Sequence, residues 1–143
     1  MIYGIGTDAV EVERIRASLE RYGARFVERI LGPRERVVHA ARTARSEQRG
    51  VLFLATRFAA KEAISKAIGL GMRTPMHWRA AQIVNAGSGR PEVVADEALG
   101  RFLRERGLRL HVSVSDIEGM ALAYAIAEVV DARGGAPRDG SAP

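Results

Sequence analysis

Apolar residues recur at three- and four-residue spacing from Arg57 to Gly71, a stretch that reads RFAAKEAISKAIGLG. Ala60, Ala63, Ile64, Ala67 and Ile68 carry the helical period. Gly69 and Gly71 stop it, as glycines past a last turn do. Residues three and four apart share a helix face. Phe58, Glu62, Ser65, Lys66 and Gly69 therefore line one edge, with Lys61 beside Ser65. That edge carries a carboxylate, a hydroxyl and two ammonium groups, and the rest of the chain is read around it.

The pattern changes on either side of this helix. Ile2 to Asp8 alternates and holds two glycines, so it reads as a short strand that ends on Asp8. Glycines inside a strand mark close backbone approach. Val12 to Tyr22 is helical, with Val12, Ile15 and Leu19 inward. Gly23 breaks it, and Arg25 to Leu31 adds a turn or two. Pro33 suits the first position of a helix to about Thr43. Ser46 caps a long helix that runs through Leu52 and Leu54 into the central stretch, with Gly50 as its weak point.

Beyond Gly71, MRTPMHW reads as a loop. Ala81 to Asn85 and Pro91 to Val94 form a hairpin around Ala86–Gly89. Asp96 caps a helix to Arg106, with Leu99, Phe102 and Leu103 inward. Leu108 to Ser115 is a strand, Asp116 to Gly119 a turn, and Met120 to Val129 the returning strand. This order predicts an α+β fold, with a mostly antiparallel sheet packed against a long central helix. Residues 1–130 form one domain. Residues 131–143 have the Gly, Ala, Pro and Arg content of a disordered, dispensable tail.

Composition narrows the classes. The chain has 143 residues, 47% apolar and 27% charged, as expected of one soluble globular domain. It has no cysteine, so disulfides and thiolate metal sites are excluded and a cytoplasmic setting fits. No apolar run reaches the roughly 18 residues of a membrane span, and no signal peptide is expected. A net charge of +5 favours a polyanionic partner: nucleic acid, a nucleotide-like cofactor or an acidic protein. Of 22 basic residues only Lys61 and Lys66 are lysine. A plain Glu62–Lys66 pair would add only about 0.2–0.5 kcal/mol. A compact ammonium is instead what a tight phosphate or metal-linked site distinguishes from an arginine fork. His39, His77 and His111 are scattered and read as ordinary histidines; Tyr3 and Trp78 read as packing residues.

Two stretches, GIGTDAVEVERI at Gly4–Ile15 and RFAAKEAISKAIGLG, resemble the two signature motifs of the holo-acyl-carrier-protein synthase family, the small 4′-phosphopantetheinyl transferases. Weaker agreement runs through ARFVERIL, LATRF, SGRP, HVSVS and ALAYAIAE, so the resemblance spans about residues 1–129. It implies transfer of the phosphopantetheine arm of coenzyme A to a serine of an apo acyl carrier protein, with release of adenosine 3′,5′-bisphosphate, for fatty acid (lipid) biosynthesis. It implies magnesium on the carboxylates of Asp8 and Glu62, and a catalytic group of Asp8, Glu62 and Lys66. Coenzyme A would border Arg57, Phe58, Lys61, Ser65, Lys66, Gly69 and Asp116. The carrier would dock on Arg14, Arg21 and Arg25, which share a face if the first helix continues past Gly23. It also implies a homotrimer, the motif helix of one copy facing the neighbour's sheet near Arg90 and Asp116, with neither membrane nor nucleic acid as partner. Asp116 and Ile117 depart from the His that many members have at this point, which leaves the nucleotide contact there open.

The chemistry is consistent with those assignments. Magnesium prefers hard oxygens, usually one or two carboxylates with water and substrate phosphates. Phosphoryl transfer needs positioning and charge cancellation more than covalent help. The serine proton would go to a water or a motif carboxylate. Two rival readings are weaker. Gly4–Ala9 fits a loose G-x-G-x-x-A fingerprint, but its strand is too short and no βαβ repeat follows. A basic nucleic-acid-binding module would need a basic stripe with aromatics, whereas the arginines alternate with acids and aromatics are only 6%.

Overall fold

In the computed structural model, which describes residues 1–130, the first strand runs past its glycines: β1 spans Ile2–Glu11. Asp8 lies inside this strand rather than at its end. Helices α1 (Val12–Tyr22), α2 (Ala24–Ile30), α3 (Pro33–Arg45) and α4 (Glu47–Ala67) follow. After a loop and a single 3-10 turn at Trp78–Ala80 come β2 (Ala81–Asn85) and β3 (Pro91–Ala95). The chain closes with α5 (Glu97–Glu105), β4 (Leu108–Ile117) and β5 (Met120–Val129). The sheet has the order β1-β5-β4, all antiparallel, and β2-β3 is a separate antiparallel hairpin. This is the expected α+β arrangement. The expected tail, 131–143, lies outside the described residues. Among the described residues no helix is long and apolar enough to cross a membrane.

Helix α4 is buried on nearly every side and forms the centre of the core. The sheet meets it through small residues. Ala121, Ala123, Ala125 and Ala127 of β5 are almost fully buried against Ala59, Ala60, Ala63 and Ala67 of α4. Gly4 and Gly6 complete this surface on β1. A Cβ on Gly6 would stand 1.9 Å from the Ala63 carbonyl oxygen, and one on Gly4 would stand 2.1 Å from that of Ala67. The strand backbone therefore lies directly on the helix backbone. Strand alternation puts Gly4, Gly6, Asp8 and Val10 on the same face. Asp8 is thereby turned toward the second half of α4.

The helix ends follow local chemistry. Ser46 accepts from the Arg49 amide and caps α4; Asp96 accepts from the Leu99 amide at 2.9 Å and caps α5. Gly50 is a packing requirement, since a Cβ there would meet Thr43 Oγ1 of α3 at 2.1 Å. At Gly23 the backbone takes φ 57 and ψ −136, so the first helix does not continue. Arg14 and Arg21 belong to α1 and Arg25 to α2, which corrects the expectation of one continuous helical face. The β4–β5 turn is only Glu118–Gly119, both at positive φ, which suits a two-residue hairpin.

Candidate active site

Three charged side chains converge where β1 crosses the end of α4. Lys66 Nζ donates to the Thr7 carbonyl at 2.9 Å and lies 3.3 Å from Asp8 Oδ1. The Lys66 side chain is 51% exposed and that of Asp8 19%. A pair this exposed contributes under about 1 kcal/mol to stability. Glu62 is half-buried beside them. Burial raises its pKa above the ordinary carboxyl value, and repulsion from Asp8 raises it further, while Lys66 opposes both. A carboxyl held back from ionising by burial and by a neighbouring carboxylate is one that a divalent cation relieves. Among the described residues no three or more His, Cys, Asp or Glu side chains gather at one point. Two carboxylates are what magnesium takes from a protein when water and phosphate supply the remaining ligands.

Phe58 and Gly69 continue this edge. Gly69 adopts φ 78 with open space around it, and Phe58 stacks on Trp78 at 4.6 Å. Ser65 is on the edge but buried, its hydroxyl donating to the Glu62 carbonyl at 2.7 Å.

Lys61 does not belong to the edge. It is fully buried, with its ammonium 2.6 Å from Glu35 Oε1, 2.7 Å from the Ile30 carbonyl and 2.8 Å from the Trp78 carbonyl. An ammonium has three protons to donate, and all three are used inside the core. This corrects the expectation that Lys61 reaches a phosphate. Burial draws its pKa down and the Glu35 carboxylate opposes that.

Arg57 and Asp116 are also drawn away from Asp8, Glu62 and Lys66. They line a separate cavity of about 690 Å³ with Arg42, Arg45, Arg49 and Phe53. Arg57 is buried, its guanidinium 4.1 Å from the centre of the Phe53 ring and within reach of the Ile83 carbonyl and Asn85 Oδ1. Burial lowers its pKa to about 10, so it remains charged at neutral pH. Asp116 is exposed at the end of β4. The three further arginines of this cavity are not legible in the sequence, since they lie on a face of α3 and α4 that reads as ordinary solvated charge.

The expected docking arginines are all exposed. Arg25 lines a second cavity of about 450 Å³, together with Tyr22, Phe26, Arg29, Phe58 and Trp78. Trp78 packs on Phe58, as expected of a packing residue, and lines this cavity between α2 and the charged edge of α4.

Comparison with known proteins bears on the family and the fold. The profile of the 4′-phosphopantetheinyl transferase superfamily matches residues 4–127. The holo-[acyl-carrier-protein] synthase of Cupriavidus metallidurans is 58% identical over 128 residues, 90% of either chain. The crystal structure of the Neisseria meningitidis holo-[acyl-carrier-protein] synthase superposes with a TM-score of 0.82 at 40% identity, covering 90% of this chain and 99% of that one. The Bacillus anthracis enzyme of the same name, solved in complex with CoA (3′,5′-ADP), gives 0.75 at 32% identity, covering 91% of this chain and 99% of that one. The charged edge of α4, the strand laid on it and these likenesses over nine-tenths of the sequence lead to one placement: the chain belongs to the 4′-phosphopantetheinyl transferase superfamily, among its holo-[acyl-carrier-protein] synthases.

Proposed function

We propose that the chain transfers the 4′-phosphopantetheine arm of coenzyme A to a serine of an apo acyl carrier protein, with magnesium, in the cytoplasm, to supply fatty acid biosynthesis. One observation carries this reading: Asp8 of β1 meets Glu62 and Lys66 of α4, although the two segments are far apart in sequence. In the reaction the serine Oγ attacks the phosphorus on the pantetheine side and gives its proton to a water or a motif carboxylate. The bond from that phosphorus to the bridging oxygen breaks, and adenosine 3′,5′-bisphosphate leaves. Magnesium on Asp8 and Glu62 would neutralise the charge that develops on the pyrophosphate. Lys66 supplies a point charge beside it, and its bond to the Thr7 carbonyl aims the ammonium along the edge. The Bacillus anthracis relative's bound CoA supports coenzyme A as the donor.

The four-arginine cavity suits the phosphates of the nucleotide end. On one chain this cavity and the Asp8–Glu62–Lys66 edge are separate, which favours a site completed by a second copy. Among the described residues nothing covers the apolar outer face of the sheet, where Ile5 is 64% and Tyr124 62% exposed. We assign a homotrimer, the number three resting on family resemblance. The acidic carrier would dock on Arg14, Arg21 and Arg25, with the aromatic cavity beside Arg25 receiving its apolar side chains. No observation favours a nucleic-acid module: the arginines alternate with acids along the chain and aromatics are only 6%.

The direct test combines the protein with apo carrier, coenzyme A and magnesium and weighs the carrier by mass spectrometry. The expected result is one added phosphopantetheine on serine that requires the metal. No gain in mass on any of several apo carriers would overturn the reading.

A further inference from the structure

The elements that wall the aromatic cavity meet at one buried ion pair. Glu35 and Lys61 are both 0% exposed. Beyond Lys61, Glu35 accepts from the Gly32 amide through Oε1 and from the Ile83 amide through Oε2, each at 3.0 Å. Lys61 holds the carbonyls of Ile30 and Trp78. The pair therefore ties together the end of α2, the start of α3, the middle of α4, strand β2 and the 3-10 turn. Phe58, one turn before Lys61 on α4, stacks on Trp78. Both sides of that stack, and the α2 wall opposite, are fixed through Glu35 and Lys61.

The metal-binding edge is anchored elsewhere. It is set by the backbone contact of Gly4 and Gly6 with Ala67 and Ala63, and none of those four residues bonds to the buried pair. The two halves of the site thus have independent supports on one helix.

We infer that Glu35 and Lys61 are positioning residues that set the aromatic cavity against the charged edge and so govern docking of the carrier, leaving metal binding to the β1 contact. The inference rests on the proposed docking of the carrier beside Arg25. Neither residue touches a substrate; both act through Trp78, Phe58 and α2. Stability alone does not require them, because an apolar pair of the same volume is often as stable as a buried ion pair, or more so. What the ion pair adds is direction, since it aligns four backbone groups from separate elements. Three acceptors converging on one point suit an ammonium and not a planar fork. That explains a lysine at this position in a chain that uses arginine almost everywhere.

The test uses the double variant Glu35→Gln/Lys61→Met, which leaves no lone charge in the core, and Glu35→Asp, which keeps both charges but shortens the reach. Trp78 is the only tryptophan in the chain, so its emission reports this contact directly. In each variant that retains the native circular dichroism, Trp78 emission is expected to move to the red and to become more accessible to acrylamide. The KM for apo carrier is expected to rise about tenfold in the double variant, and less in Glu35→Asp, as for displacements remote from the chemistry. The magnesium-induced shift in melting temperature, which reads the Asp8–Glu62 pair on the β1 side, should stay as in the wild type. If the double variant does not fold, Glu35→Asp decides alone. A folded variant with a lower melting temperature but unchanged Trp78 emission and unchanged carrier KM would overturn the inference. Arg25→Glu separates it from the docking proposal. If Arg25→Glu raises the carrier KM and the Glu35 variants do not, only the positioning role fails. If Arg25→Glu leaves the carrier KM unchanged, the docking proposal fails and takes this inference with it.

Discussion

Lys61 and Lys66 share one helix and one charge, and burial divides them. Lys61 is saturated by three acceptors in the core, whereas Lys66 is half-exposed beside two carboxylates. Glu62 shows the cost of such a site. Its pKa is raised above the ordinary 4.5, chiefly by burial and then by Asp8. The folded chain therefore holds this proton to higher pH than the unfolded chain does. In the window just above pH 4.5 the native state binds more protons, so this group's contribution to stability falls as pH rises. A bound divalent cation should reverse that loss. By scanning calorimetry, the melting temperature gained on adding magnesium is expected to be small near pH 4.5 and to grow as Glu62 ionises. Glu62→Gln should melt no lower than the wild type without magnesium, should show little magnesium-dependent gain, and should lose most turnover. A Glu62→Gln chain that keeps the full magnesium shift would remove Glu62 from the metal site.

At the scale of elements, periodicity and caps are legible in the sequence and contacts between elements are not. The helical period, Ser46, Asp96 and Pro33 locate α3, α4 and α5 because these signals act within a few residues. The break at Gly23 is legible as a break, but not its consequence that Arg25 falls on a new helix lining an aromatic cavity. The helical period misplaces Lys61 for the same reason: it gives an angle around the axis, not what lies across from it, and Glu35 comes from another helix. The glycines of β1 read as a close approach, and the structure names the partner. Gly6→Ala would force a Cβ to within 1.9 Å of the Ala63 carbonyl, and a helix carbonyl cannot rotate away. The variant is expected to lose about 3 kcal/mol in chemical denaturation, the upper end for overpacking. Because Asp8 follows two residues later on the same face, turnover of the folded fraction should fall as well. A Gly6→Ala chain with wild-type stability would show that β1 does not lie as closely on α4 as described.

At the scale of the whole molecule, the described residues leave two surfaces unsatisfied. Ile5 pairs with Ile126 and Thr7 with Tyr124 across β1 and β5, so the exposed apolar side chains form one continuous patch on the face away from α4. Monomers rarely leave such a patch in water. The second surface is the arginine cavity, which carries charge suited to a nucleotide but lies apart from Asp8, Glu62 and Lys66. Association through the sheet would account for both, if the cavity of one copy meets the edge of the next. Sites shared in this way can be tested by mixing. A Glu62→Gln chain spoils the edge and keeps the cavity; an Arg49→Glu chain spoils the cavity and keeps the edge. Each alone is expected to be nearly inactive. In a ring assembled at random from equal amounts, a site is intact when its edge comes from the second chain and its cavity from the first. Each condition is met half the time, so co-refolded mixtures should recover about a quarter of wild-type turnover. Sites contained within single chains would recover none. No recovery from a mixture that native mass spectrometry, with one chain tagged, shows to be a mixed oligomer, or a fully active monomer by light scattering, would refute the shared site.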